Sequence, residues 1–252
     1  MNSGKSNMTT EFQISLSSID EEHFGYKTAS ASYVGKENID EMLDFCRANE
    51  VEFLIARCSA SDLDAVQRME SEGFQLMDTL MYFRYWLGKK SHFPEMKSVP
   101  FLPLETGEER EVEEVAKLAF KDYYGHYHSD ERLDQQKCDE VYSNWAYQAC
   151  LSRGPEREVL VHKKDGNIIA FLVLEINSEG YGVPILTGIH PDHQRSGIYA
   201  AVAYPTWQWF LSKGLKYSMV STQATNIAQQ KYFIRFGYRP HDAVYTLHKW
   251  FV

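Results

Sequence analysis

The stretch from Val183 to Tyr199 constrains this chain more than any other. Val183 to Ile189 is an apolar run that reads as a buried strand, Pro191 sets a polar turn, and a helical pattern begins at about Gly197. A strand turning this sharply into a helix leaves several backbone N–H groups at the helix start without partners. Together with the positive end of the helix dipole, those donors form a ready site for phosphate. Gly197 has no Cβ, so a ligand can approach the backbone closely there.

Around this stretch the chain reads as alternating strands and helices. Asn38 to Asn49 carries Ile39, Met42, Leu43 and Cys46 at helical spacing. Phe53 to Ala56 is a short strand, and Asp62 is placed to cap a helix carrying Leu63, Val66 and Met69. Gly73 stops that helix, and Phe74 to Leu87 is strand-like. Glu22 to Val34 is expected to supply a first strand or two, broken at Phe24-Gly25. Lys89 to Val99, polar and containing Pro94, is the expected linker. Beyond it come helices over Glu105 to Phe120 and Asp134 to Leu151. Two strands follow, Val159 to His162 and Ile168 to Ile176, joined by the hairpin turn Lys164-Asp165-Gly166-Asn167. After the phosphate turn, a helix is expected from Ile198 to Lys213, with Pro205 kinking it or costing about 3 kcal/mol. Tyr217 to Thr222 is a strand, Asn226 caps a helix from Ile227 to Phe236, and Ala243 to Phe251 closes the sheet.

The two halves echo each other. Gly73-Phe74 and Trp86 recur as Gly237-Tyr238 and Trp250, and at the same offset of 164 residues Asp62, Leu63 and Met69 fall on Asn226, Ile227 and Phe233. The first half lacks the phosphate turn and has Arg68 where the second has Tyr232, so a packing role is expected for it.

The spacing Gln194-x-x-Gly197-x-Tyr199, preceded by Ile189-x-Pro191, resembles the signature of the GNAT superfamily of N-acetyltransferases. Tyr199 departs from that pattern, which prefers Gly or Ala. The resemblance implies an α/β GNAT fold, a mixed twisted sheet flanked by helices, as a catalytic domain over 96–252. Residues 1–95 would then form a degenerate GNAT-like half-domain. It implies acetyl-CoA as co-substrate, with its pyrophosphate held by Gln194, Arg195, Ser196, Gly197, Ile198 and Tyr199. The backbone at Thr187, Gly188 and Ile189 would hold the pantetheine and polarise the acetyl carbonyl. Asn226 serves both as N-cap and, by the resemblance, as a cofactor contact. The resemblance also makes Tyr232 the acid for the departing thiolate. Free tyrosine titrates near ~10 and a thiol near ~8.5, so full proton transfer is uphill by about 2 kcal/mol. Tyr232 must therefore act through a strong hydrogen bond or with a lowered pKa.

No general base is evident. Glu175, at the end of a strand, is one candidate, with His190, His126 and His128 as others, and each reads equally as a solvated or structural residue. Tyr123, Tyr124, His126 and Tyr127 form an aromatic loop where family members bind their acceptors. Their rings, hydroxyls and imidazoles suit a sugar or a nucleobase, and equally a core edge. Phe24-Gly25, Asp64-Ala65-Val66-Gln67 and Lys231-Tyr232-Phe233-Ile234 resemble the branch of the family that acetylates nucleotide-linked 4-amino sugars. The expected function is therefore transfer of acetyl from acetyl-CoA to a primary amine by direct attack, with an amino sugar as favoured acceptor. Another small amine, a protein amine, or a non-catalytic acetyl-CoA sensor remain alternatives.

Charge and cysteine content bound these readings. A net charge of −9 argues against a nucleic-acid footprint but would favour cationic acceptors. Four cysteines without C-x-x-C spacing or a histidine cluster imply free thiols in a reducing compartment and no metal. The cytoplasm is the expected location. Met1 to Thr10 reads as a loose tail, no apolar run reaches membrane-span length, and a homodimer is left open.

Overall fold

The structure, a computed structural model, describes residues 11–88 and 99–251. The tail expected over Met1 to Thr10 and nearly all of the expected linker lie outside the described residues. In chain order the first half contains β1 (Gln13–Leu16), α1 (Ser18–Phe24), β2 (Thr28–Ser32), α2 (Ile39–Ala48), β3 (Phe53–Ser59), α3 (Leu63–Ser71) and β4 (Gln75–Trp86). Next come β5 (Leu102–Pro103), α4 (Glu109–Ala119), α5 (Gln135–Leu151), β6 (Arg157–Lys164), β7 (Asn167–Ile176) and β8 (Gly182–Ile189). The chain closes with α6 (Ile198–Ala201), α7 (Ala203–Ser212), β9 (Tyr217–Gln223), α8 (Ile227–Arg235) and β10 (Arg239–Trp250).

Two compact units result, Met1–Leu80 with Asp242–Val252, and Met81–His241. The boundary drawn from sequence at residue 95 falls among residues that are not described, and the units change over inside β4 and β10 instead. The repeat explains why. Strand β3, helix α3 and strand β4 reappear 164 residues later as β9, α8 and β10 with the same bounds. Their caps match as well: Asp62 Oδ1 accepts from the Ala65 amide at 3.0 Å and Asn226 Oδ1 from the Gln229 amide at 3.1 Å. The final strands are exchanged, however. Residues 244–250 of β10 pair antiparallel with β3, while the end of β4 belongs to the second unit.

In the first unit, β2 runs parallel to β3 from Thr28↔Phe53 to Ala31↔Ala56. Alternate residues Leu54, Ala56 and Cys58 of β3 face the core, where α2 buries Ile39, Met42, Leu43 and Cys46 at the three-and-four spacing. Met69 of α3 and Leu247 of β10 complete that cluster.

The second unit is organised on β7, whose residues Ile168 to Leu174 are all buried. A strand covered on both faces needs apolar residues throughout, which is why the segment reads as a continuous run. Phe171 and Val173 pack against Val112, Val115 and Ala116 of α4 and Ala146 and Cys150 of α5. Leu172 and Leu174 face Val202 and Phe210 on the other side.

Three expectations are corrected. Glu22 to Phe24 belongs to helix α1, and the first strand, β1, lies before it. Its residues QISL show no buried alternation, so periodicity carried no signal. The helix expected from Ile198 to Lys213 is two helices interrupted at Val202. That break accounts for Pro205, which falls in the first turn of α7, where an N–H has no intrahelical acceptor to lose. Strand β10 begins at Arg239, four residues before the expected start.

Candidate active site

Strand β8 is paired along its length with β7, from Ala170↔Ile189 to Ile176↔Gly182. With β9 it shares only the parallel pair Gly182↔Ser218. Two local features pull it away. Pro184 has no N–H for a ladder bond, and the β7–β8 register skips Ile185 between Val173↔Leu186 and Leu174↔Pro184. A bulge at that point bends the strand and sharpens its twist. The strands diverge, and a cavity of about 490 Å³ opens within the second unit. Its walls are Thr187 and Ile189 on β8, Val220 to Thr222 on β9, and Asn226, the cap of α8, with Gln229 and Tyr232 on that helix.

At the mouth lies the turn. A 3₁₀ segment, Pro191–His193, follows β8, and the His190 ring accepts the Asp192 amide at 3.3 Å. Arg195 and Gly197 both adopt left-handed backbone, at φ 61° and φ 90°, on either side of Ser196. Alternation of this kind points successive amides toward one concavity suited to an anion. Open space surrounds the position a Cβ would take on Gly197. The first helical bond comes only at Ala201, whose N–H donates to the Gly197 carbonyl at 3.2 Å, so earlier amides are left to solvent or a ligand.

Of the expected cofactor residues, Thr187, Ile189, Gln194, Arg195, Tyr199 and Asn226 line the cavity. Ser196 and Gly197 belong to the adjoining turn, and Ile198 opens α6 with its side chain packed on Ile169, Ala170 and Ile189. Gly188 answers a packing demand: a Cβ there would lie 2.2 Å from the ring of Phe171, its cross-strand partner.

Tyr199, the departure from the signature, turns inward. Its hydroxyl donates to Gln229 Oε1, and its ring meets Tyr232 edge to face at 4.6 Å. Burial pushes its pKa up to about 12, against the pull of the Gln229 hydrogen bond. The Tyr232 hydroxyl is buried and makes no hydrogen bond of ordinary geometry. Burial is also the main cause that raises its pKa, followed by Tyr199 and Tyr238, while the Ala203 backbone acts in the lowering sense. Tyr232 therefore stays protonated at neutral pH, a donor without an acceptor, lining the cavity. Of the two options left by sequence, a lowered pKa is excluded here, because desolvation disfavours the phenolate.

Glu175 is not brought to the site. Directly opposite Arg157 on β6, it accepts from that guanidinium, with Nε at 2.8 Å, and it does not line the cavity. An antiparallel pair of opposite charges is a sheet contact in its own right. Of the aromatic loop, only Tyr123 reaches the cavity. Tyr124 is 62% exposed and donates to the His128 carbonyl at 3.0 Å, while His126 is buried against the Tyr127 ring at 3.9 Å. The His128 ring accepts the Gly125 amide at 3.1 Å and lies 3.2 Å from Asp139. These histidines hold the loop together.

Sequence reading missed Phe120 and Tyr142, which line the cavity beside Tyr123. Phe120 stacks on Tyr142 at 5.1 Å, and Tyr123 meets Tyr142 edge-on at 4.8 Å. Phe120 lay at the end of one apolar helix pattern and Tyr142 inside another, with nothing local to tell either from core.

All four cysteines are free and buried, and burial lifts their thiols to about 11 for Cys46 and Cys58 and about 12 for Cys138 and Cys150. None lines the cavity, so none is placed or ionised to act as an acyl-carrying nucleophile. Among the described residues no group of three or more His, Cys, Asp or Glu could hold a metal, and no helix is long and apolar enough to cross a membrane.

Solved structures share this fold. A functionally unknown conserved protein from Staphylococcus epidermidis ATCC 12228 is 14% identical, with a TM-score of 0.60 over 99% of this chain and 94% of that one. A GCN5-related N-acetyltransferase from Kribbella flavida is 17% identical, with a TM-score of 0.60 over 88% and 80%. A tandem GNAT protein from the clavulanic acid biosynthesis pathway is 13% identical, with a TM-score of 0.59 over 90% and 76%. No curated protein matches the chain. The acetyltransferase (GNAT) family profile matches residues 113–238, which include the splayed strands, the turn and Tyr232. With half its length matched and the α/β fold of its structural neighbours, the chain belongs to the GNAT family and is an acetyl-CoA-dependent N-acetyltransferase.

Proposed function

We propose that this enzyme acetylates the amino group of a nucleotide-linked amino sugar by direct attack on acetyl-CoA, with Tyr232 as the acid. The observation that carries the reading is a single cavity lined by Tyr232, by residues of the amide-rich turn and by further tyrosine rings, with the Tyr232 hydroxyl buried and unpaired. Arg195 and the amides following it bind the pyrophosphate, and the free edge of β8 at Thr187 and Ile189 orients the thioester. Tyr232 donates its hydrogen bond to the sulfur as negative charge grows there, an interaction absent from the free protein and gained toward the transition state. The rings and hydroxyls of Tyr123 and Tyr142 support a sugar as acceptor. With Glu175 held by Arg157, the proton released from nitrogen leaves through water.

Release of free thiol from acetyl-CoA, screened over amines that include nucleotide-linked 4-amino sugars, tests this. Turnover with that class, lost in Tyr232→Phe while acetyl-CoA still binds, is the expected result. Tight acetyl-CoA binding without turnover on any amine would instead identify a sensor.

A further inference from the structure

We propose that the acceptor amine enters the cavity uncharged, carried on a ring seated against Phe120, Tyr123 and Tyr142. On this view, which rests on the acetyl-transfer reading above, the enzyme selects weakly basic, ring-borne amines and rejects alkylammonium ions such as polyamines and lysine side chains. The chain as a whole is acidic, at net charge −9. The cavity is not. Among the described residues that line it there is no Asp, Glu, His or Lys, and the one formal charge is the cation Arg195.

Net charge governs approach, whereas the charges at the wall govern what is stable inside. An ammonium ion moved into this cavity would lose its water, meet no carboxylate and share the space with Arg195, all of which favour its neutral form. Glu175 and Asp139 are not in the lining, the first engaged by Arg157 and the second lying against His128. The aromatic faces would attract a cation, but such a contact is weaker than the cost of stripping water from an unpaired ammonium. Moreover, the three rings pack on one another. Phe120 is stacked on Tyr142 and both are met edge-on by Tyr123, so the rings form one packed cluster in which each is occupied by the others. A wall of half-buried rings suits another ring, stacked or edge-on.

The proton balance agrees. The lone pair on nitrogen attacks the acetyl carbon, the C–S bond breaks, and Tyr232 supplies a proton or hydrogen bond to the leaving sulfur. The extra proton on the new amide nitrogen passes to water, from which Tyr232 is restored. Every step proceeds without a protein base only if nitrogen starts neutral, because no lining group can first take a proton from an ammonium.

The test uses two isomers of one formula, 4-methylaniline, which is neutral at pH 7, and benzylamine, which is protonated. Their binding to the full-length protein, alone and saturated with CoA, is measured by calorimetry between pH 7 and 9, with acetyl-CoA binding measured separately. We expect 4-methylaniline to bind at least roughly tenfold more tightly at pH 7 with no pH dependence. Benzylamine should gain roughly tenfold per pH unit as it deprotonates. Tyr142→Leu should weaken 4-methylaniline and leave acetyl-CoA binding unchanged. Equal binding of the two isomers at pH 7, pH-independent binding of benzylamine, or no binding of either would overturn the proposal. Absence of acetyl-CoA binding would sink the acetyl-transfer reading, whatever the amines do.

Discussion

The two units are built from one plan and differ at one seam. In the first, β2 zips onto β3 through four parallel pairs, with alanines Ala29 and Ala31 buried beside Leu54 and Ala56. In the second, β8 and β9 hold a single pair and then part, at the point where Pro184 and the bulge at Ile185 in the β7–β8 pairing bend the strand. Closed, the seam makes a core; open, it exposes strand backbone to a cavity. Equivalent helices then carry different chemistry. On α3, Arg68 sits at the surface, paired with Asp40 and Glu72, whereas on α8 the corresponding Tyr232 lines the cavity and keeps its hydroxyl buried and unpaired. A duplicated scaffold thus keeps its caps and glycine stops in both copies, and catalysis needs only one of them to fail to pair.

The contrast can be broken first at those two helix positions. Tyr232→Phe should lower kcat by about 10²-fold or more, within the range for general acids, with little change in acetyl-CoA affinity. Arg68→Leu should leave kcat unchanged, so steady-state rates that fall equally for both would dissolve the functional difference between the units. Next comes the turn that the first unit lacks. Gly197→Ala forces a Cβ into left-handed backbone at φ 90°, which costs about 1–2 kcal/mol and should weaken acetyl-CoA binding about tenfold in a titration.

The caps sharpen the comparison at a smaller scale. Asp62→Ala and Asn226→Ala should each lower stability by about 1 kcal/mol in denaturant unfolding. Only Asn226→Ala should also reduce acetyl-CoA affinity, since Asn226 alone of the two faces the cavity. A loss of affinity in both variants would mean that the effect travels through stability.

The smallest effect is with pH. Tyr199 and Tyr238 have their pKa raised to about 12 in the fold, mainly by burial. Their contribution is full below the unfolded value near ~10 and is lost as pH rises toward the folded value, because the native state then holds more protons than the unfolded one. Unfolding curves should show less than about 1 kcal/mol lost per tyrosine by pH 10.5, with a weaker dependence in Tyr199→Phe. A stability that rises over that interval would contradict the burial of these hydroxyls.

Much of the molecule was legible in the chain because much of it is local. The caps at Asp62 and Asn226 are hydrogen bonds to an amide three residues on, and the repeat is visible as spacing alone. The phosphate turn was readable for the same reason, since Pro191 and Gly197 set backbone angles whatever surrounds them. Tyr199 was legible only as a departure. Its hydrogen bond to Gln229 spans thirty residues, so its support of Tyr232 could not be seen in a spacing.

By itself, then, the sequence determined most strands and helices from Asn38 onward, their caps and glycine stops, the turn and the family to which these belong. Tertiary structure decided that β4 and β10 exchange units, that β8 parts from β9, and that Glu175 is consumed by Arg157. It also brought Phe120, at the end of α4, and Tyr142 of α5 to one wall, and among the described residues no carboxylate lines that cavity. Element ends rest on contacts within a turn or two of the chain, where residue type suffices. Strand pairing, ion pairs and cavity walls join residues far apart in sequence, and only the packed fold selects which of many compatible partners meet.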